Sequence, residues 1–180
     1  MRFCKPLALI GLLFAADAAH ASRVFNLSLT PDIAVYKRTE KVTGVTLSIW
    51  GENETHGVGI GIVNGTRGHS VGLSFGIVNY GESFTGAQIS AVNWTTKEFV
   101  GFQWGLVNLA YSSMTGLQAG AFNYAEKLSG VQFGLVNYAE KTSSGVQIGL
   151  VNVIPMNKSF FGDFPGAVAP YMLLANWRFN

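Results

Sequence analysis

After residue 21 this 180-residue chain contains no cysteine, because its only one is Cys4. Disulfide bonds therefore cannot contribute to the stability of the chain beyond that point. Charge is also scarce, since 12% of the residues are charged against ~25% in a typical soluble domain. The formal net charge of +2 gives no reason to expect a nucleic-acid partner. Beyond the N-terminus the chain has no apolar run long enough for a membrane span, so the sequence predicts no transmembrane helix.

The N-terminus has the three parts of a secretory signal peptide. Arg2 and Lys5 form a basic segment, residues 7–16 are an apolar core, and Ala19 and Ala21 flank a small-x-small cleavage site. Such a segment is removed on export and is too short to serve as a membrane anchor. The sequence therefore predicts a signal peptide over residues 1–21, an exported protein, and a single β-repeat domain over residues 22–180.

An eight-residue unit recurs through the middle of the chain. Its clearest copy runs from Gly130 to Asn137, as Gly-Val-Gln-Phe-Gly-Leu-Val-Asn. Eight units follow one another at nearly constant spacing, and they open at Gly44, Gly57, Gly72, Gly86, Gly101, Gly116, Gly130 and Gly145. A fixed period of this kind dictates the architecture of the chain.

Within each unit the residues alternate in character. The second, fourth and sixth positions are apolar in all eight units, and the third and fifth are small or polar. Strict alternation predicts a β-strand with two unlike faces. No charged residue falls inside any of the eight predicted strands, which is unusual for a sheet with one face in water.

Two further segments alternate outside the repeat. Residues 23–30 and 167–179 are predicted as a first and a last strand, which brings the total to ten. An even number of strands suits an antiparallel barrel with both termini on one side of a membrane. The two longest connections, residues 31–43 and 153–166, would then both lie outside the cell, as long loops do in such barrels.

These features carry two resemblances. The repeat resembles that of bacterial outer-membrane and cell-surface proteins built on Gly-x-Gln-x-Gly-x-x-Asn units. The final strand resembles the C-terminal assembly signal of outer-membrane barrels, with Tyr171, Leu173, Trp177 and Phe179 at the matching positions. The resemblances imply a location in the outer membrane or at the cell surface. They imply membrane lipid and the barrel-assembly machinery as partners, and no specific ligand.

Two folds are compatible with the pattern. The preferred prediction is an all-β, antiparallel transmembrane β-barrel of about ten strands built from 14–15-residue repeats, with the apolar face toward lipid. Its weakness is an apolar band of about 14–17 Å per strand, whereas a membrane-spanning band is ~25 Å tall. The alternative is a single-stack β-solenoid with one unit per coil, in which identical side chains stack as ladders.

Two columns of amides are the candidate site residues. In the barrel, one set is predicted to line the lumen: Gln88, Gln103, Gln118, Gln132 and Gln147. The other set is predicted to serve strand ends and turns, because Asn bonds its own backbone readily: Asn64, Asn79, Asn93, Asn108, Asn123, Asn137 and Asn152.

The pattern contains no catalytic, metal or cofactor site. His56 and His69 both fall in linkers, and the barrel topology would put them on opposite sides of the membrane. No carboxylate falls in a repeat strand, so an acid/base pair for hydrolysis is missing from the predicted lumen. We therefore predict that the protein is not an enzyme and binds no cofactor.

Three functions follow from these predictions. The first is a non-enzymatic outer-membrane barrel with a structural or surface-display role. The second is a narrow channel for small polar solutes. The third is a secreted β-solenoid that binds a partner through its Gln/Gly face.

Overall fold

The computed structural model describes residues 23–179. The predicted signal peptide and Asn180 lie outside the described residues. The prediction of an all-β chain is confirmed, with strands β1 (Phe25–Thr30), β2 (Ile33–Ala34), β3 (Val42–Glu52), β4 (Thr55–Phe75), β5 (Val78–Ile89), β6 (Val92–Thr95), β7 (Glu98–Trp104), β8 (Val107–Val153) and β9 (Tyr171–Phe179).

The strands that carry the repeat pair with one another in parallel and in register. Gly72 lies opposite Gly86, Gly86 opposite Gly101, and Gly101 opposite Gly116. Each unit therefore stacks on the preceding one, and the chain winds into a parallel β-solenoid. The predicted antiparallel transmembrane barrel is wrong, and the solenoid alternative describes the fold.

The two terminal strands lie at opposite ends of this stack. β1 pairs in parallel with β3 and antiparallel with the short β2. β9 runs antiparallel to the last part of β8, where Asn176 lies opposite Gln147. A barrel would require β1 and β9 to pair, and they do not. Both strands instead cover a terminal coil, which would otherwise present unpaired backbone groups to solvent.

Each full coil consists of two strand segments joined by two corners. In the coil of Gly101, β7 ends at Trp104, the chain bends at Gly105 and Leu106, and β8 begins at Val107. Four side chains per coil point inward, two from each segment. In the coil of Gly130 these are Leu128, Gln132, Asn137 and Ala139, which are 0–1% exposed.

A small apolar core accompanies the inward amides. It is built from Phe84, Phe99, Ala110, Met114, Ala125, Leu128 and Ala139. The rings of Phe84 and Phe99 are stacked on consecutive coils, with centroids 6.0 Å apart. The short period of the repeat suffices for a coil because so few side chains must fit inside it.

Candidate functional site: an exposed apolar face

The predicted lumen-lining glutamines lie inside the solenoid. All five are 0–1% exposed. Each one from Gln103 onward donates an Nε2 hydrogen to the Oε1 of the glutamine one coil earlier, at 2.8–3.0 Å. Gln118, Gln132 and Gln147 donate a second hydrogen to a backbone carbonyl on the opposite segment of their own coil. The amides fill the interior, so the described part of the chain offers no passage for the predicted channel.

The seven asparagines form a second ladder at the first corner. Their side chains are 0–5% exposed. From Asn64 to Asn137, the Nδ2 of each donates to the Oδ1 of the asparagine one coil later, at 2.8–3.0 Å. Several also donate to a backbone carbonyl of the following coil, as Asn93 does to Trp104 at 3.0 Å. Because every buried amide needs partners, the two ladders make an interior of polar side chains stable.

Close packing of the coils favours glycine at the first and fifth positions of the motif. The backbone φ of the opening glycine lies between 125° and 149° at the seven positions from Gly44 to Gly130, where only glycine is comfortable. A Cβ at Gly116 would also collide with the carbonyl oxygen of Gly101. At the fifth position, a Cβ on Gly134 would collide with the Gly120 carbonyl and lie 2.6 Å from the Asn123 amide. Close stacking of coils thus accounts for the Gly-x-Gln-x-Gly-x-x-Asn pattern.

The apolar side of the repeat faces outward. We call the apolar residues at the second, fourth and sixth positions of the eight units the apolar face. None of them is buried, and Trp104, Leu106 and Phe133 are 57%, 66% and 58% exposed. The predicted partner-binding Gln/Gly face is therefore wrong, because that side is the interior. The surface available to a partner is the apolar face.

The apolar face is large for a surface that meets water. Its eight rows are extended by the outward side chains of β1 and β9, including Leu27 at 54% and Leu173 at 67% exposure. Ten rows spaced ~4.8 Å apart and about 15 Å wide cover roughly 700 Å². The largest apolar patch on a typical monomer covers ~300–600 Å², and larger ones mark interaction sites.

The rows of the apolar face differ in bulk. Its only four alanines are Ala87 and Ala91 in the row of Gly86, and Ala119 and Ala121 in the row of Gly116. The rows of Gly72 and Gly101 carry Phe75, Phe102 and Trp104 instead. A depression of about 300 Å³ lies between the rows of Gly86 and Gly101, bordered by Ile89, Ala91, Trp104 and Leu106. The apolar face is therefore uneven, with bulky side chains in some rows and alanines in others.

Aromatic rings stack on the other strand segment. The centroids of Tyr111 and Tyr124 are 5.3 Å apart, and those of Tyr124 and Tyr138 are 5.8 Å apart. The Tyr124 hydroxyl donates a 2.6 Å hydrogen bond to the Glu140 carboxylate. This bond, with partial burial and the carboxylate charge, raises the pKa of Tyr124 to about 12. Tyr124 and Tyr138 are stacked and Tyr111 is tilted against Tyr124, so these contacts join three consecutive coils.

The second corner of the coils carries paired charges. Glu82 and Lys97 on consecutive coils form an ion pair of 2.6 Å, and Glu126 and Lys141 form one of 3.8 Å. The hydrogen bond and charge of Lys97 lower the pKa of Glu82. Exposed pairs of this kind contribute ~0–1 kcal/mol each. We call this corner the charged edge; it keeps the charge of the repeat away from the apolar face.

The two histidines lie on neighbouring coils, so the prediction that they lie on opposite sides of a membrane is wrong. His56 Nε2 is 3.0 Å from the carbonyl oxygen of His69 and 3.3 Å from the Glu54 carboxylate. His69 Nε2 is 3.3 Å from the Thr85 hydroxyl. Among residues 23–179, no group of three or more His, Cys, Asp or Glu side chains is placed to hold a metal ion.

The predicted assembly-signal residues Tyr171, Leu173, Trp177 and Phe179 all lie in β9. Between them, the buried Asn176 donates an Nδ2 hydrogen to the Ala169 carbonyl at 2.9 Å. Trp177 Nε1 donates to the Pro165 carbonyl at 2.9 Å. The alternation of β9 thus builds the C-terminal cap and continues the apolar face by one row.

No protein-family model, curated protein or solved structure matches this chain. The resemblances drawn from the repeat and from the last strand stay predictions. In the part of the chain that the structure describes, no helix has the length and hydrophobicity needed to cross a membrane.

Proposed function

We propose that this chain is an exported, non-enzymatic structural protein that docks onto another protein through the apolar face. The observation that supports this most directly is the exposure of eight rows of apolar side chains on one uninterrupted, charge-free surface. At ~25 cal/mol per Å² of apolar surface removed from water, leaving such a face uncovered forgoes a large stabilisation. Rigid stacking of the coils keeps the face in one shape before it meets a partner.

The interior supports a structural role. All buried polar side chains among the described residues are Asn, Gln, Ser or Thr. None of these is a general acid or base at neutral pH, so the interior holds no group of the kind that hydrolysis requires. The ionisable side chains lie on the surface, most of them at the charged edge and in the N-terminal segment before the first full coil.

Site-specific photo-cross-linking in the producing cells tests the docking role. A benzophenone amino acid is placed at Trp104, in the middle of the apolar face, and in a matched variant at Lys127, on the charged edge. We expect a covalent adduct with a protein, of any identity, from position 104 and none from position 127. An absence of adducts from position 104, with the same protein level, would show that the apolar face is not an interaction surface.

Export is tested on the same cells. N-terminal sequencing of the protein recovered outside the cytoplasm should begin at Ser22, because the small-x-small site ends at Ala21. Recovery of a chain that still begins at Met1 would contradict export with cleavage.

A further inference from the structure

We infer that the partner of the apolar face is a second copy of this chain, in a two-fold dimer that packs the two faces against each other. The inference rests on the proposed function, since both use the apolar face, and adds the identity of the partner. The two-fold axis runs along the strand direction, midway between the row of Gly86 and the row of Gly101.

The size and charge of the face suit an identical partner. Roughly 700 Å² of apolar surface is close to the ~800 Å² per partner that a standard protein interface buries. The face carries no charge at any of its positions. Two copies can therefore meet without repulsion, and a charged partner would find nothing to pair with.

Two arrangements bring identical sheet faces together around a two-fold axis. If the axis runs along the stack, every row faces itself. Trp104 would then meet Trp104, and the alanine rows would meet alanine rows, which leaves both a clash and a void. If the axis runs along the strands, the order of the rows is reversed while the position within each row is kept.

The reversed order places each of the four alanines of the apolar face opposite a large residue. With the axis between the rows of Gly86 and Gly101, Ala87 faces Phe102 and Ala91 faces Leu106 of the other copy. One row further out, Phe75 faces Ala119. Trp104 faces Ile89 of the other copy, which borders the depression of about 300 Å³ between the rows of Gly86 and Gly101. Filling hollows with bulky side chains is what tight packing between two sheets requires.

The same axis makes the two faces overlap completely. On one side of it lie the rows of Gly86, Gly72, Gly57 and Gly44 and the strand β1. On the other lie the rows of Gly101, Gly116, Gly130 and Gly145 and the strand β9. Five rows stand on each side, so no row is left uncovered. The register that matches bulk is also the one that buries the most surface.

Oligomeric state tests the dimer. We expect light scattering of the purified mature protein to give twice the mass of the chain. Ala119→Arg should weaken self-association by roughly 100-fold or more, because each dimer would bury two unpaired charges. Ser113→Arg, a change at the charged edge opposite Glu98 of the preceding coil, should leave the dimer intact. Circular dichroism should match in all three proteins, since both positions point outward in the monomer. A wild-type protein that is monomeric at micromolar concentration would overturn the inference.

Thiol cross-linking tests the register, since the chain has no cysteine after residue 21. Facing sheets lie ~10 Å apart, so a short bis-maleimide can join cysteines on facing residues. A mixture of Phe75→Cys and Ala119→Cys proteins should give a cross-linked dimer, and neither variant alone should, because each of these positions is offset from its own copy by three rows of ~4.8 Å. Phe75 is the middle residue of its row, so a dimer from Phe75→Cys alone would indicate the arrangement in which rows face themselves and would overturn this register.

The two proposals fail separately. If the benzophenone at position 104 captures only proteins other than this chain, and the purified protein is monomeric, the dimer is wrong and docking through the face still holds. If position 104 captures nothing, docking itself is wrong. A repacking pair completes the test of register, because Ala119→Phe should weaken the dimer and Phe75→Ala in the same chain should restore it.

Discussion

Replacing Gln132 by leucine should destabilise the solenoid, although the change makes the interior more apolar. Gln132 is fully buried. Its Nε2 donates to Gln118 Oε1 at 2.8 Å and to the Tyr138 carbonyl at 3.3 Å, and its Oε1 accepts from Gln147 at 2.8 Å. Leucine can make none of these bonds and interrupts the ladder one coil before its end.

The magnitude follows from the groups left without partners. Gln118 Oε1 loses its donor, and Gln147 Nε2 keeps only the Val153 carbonyl at 3.1 Å. A buried polar group left unsatisfied costs ~1–3 kcal/mol. Leucine is close to glutamine in volume, so no large cavity adds to the cost. We expect the free energy of unfolding to fall by about 2–4 kcal/mol.

Urea unfolding followed by circular dichroism measures this loss, at protein concentrations low enough to keep the chain monomeric. The matched control is Phe133→Gln, at the next residue on the outer side, which is 58% exposed. It should change the free energy of unfolding by no more than ~0.5 kcal/mol. A neutral Gln132→Leu together with a severe loss in Phe133→Gln would mean that the two faces are assigned the wrong way round.

Three further predictions concern single positions. Gly116→Ala should lower the free energy of unfolding by at least ~3 kcal/mol, because φ is +125° and a Cβ meets the preceding coil. Gly59→Ala is the matched control and should be near neutral, since its Cβ would be 3.6 Å from the nearest atom. Urea unfolding measures both. Absorbance titration should show Tyr124 ionising with a pKa of about 12. Because this pKa is raised above its ordinary value of 10.0, it contributes stability that is full below pH 10 and is lost as the pH rises through 12. Glu140→Gln should lower that pKa. Asn157→Ala removes bonds to two backbone carbonyls of the C-terminal cap, so hydrogen exchange in β9 should accelerate at a local cost of ~1–3 kcal/mol.

The repeat alone is enough to predict the strands and the two unlike faces of each strand. Alternation over each unit predicts strands, because side chains of a strand point to opposite sides in turn. It also separates the amide columns of Gln132 and Asn137 from the apolar column of Phe133. The interior columns and the whole apolar face could thus be grouped from the sequence. The absence of charge from those strands likewise predicts that the charged residues gather at the linkers.

The sequence alone did not determine which side of the strand is the interior. Alternation is a property of one strand, whereas burial depends on which strands stack above and below it. The period of this repeat fits a strand and turn of a barrel as well as a coil of a solenoid. Apolar side chains such as Phe133 are commonly expected in a protein core or against lipid, and this expectation favours the barrel prediction.

Parallel stacking of the coils places the amides in the interior, because it supplies their hydrogen-bond partners. In parallel register, each Gln132-type side chain meets its own kind one coil away, so donor and acceptor are matched at every step and an all-amide column can be buried. Antiparallel neighbours would not place the same residue over itself along a whole column. Alternation likewise predicts strands at residues 23–30 and 167–179, but only their position in the structure shows their role. Each lies at one end of the stack and covers that end, so the two do not pair to close a barrel. The sequence determined the two faces of each strand, and the stacking of the coils determined that the amides are inside and the apolar residues outside.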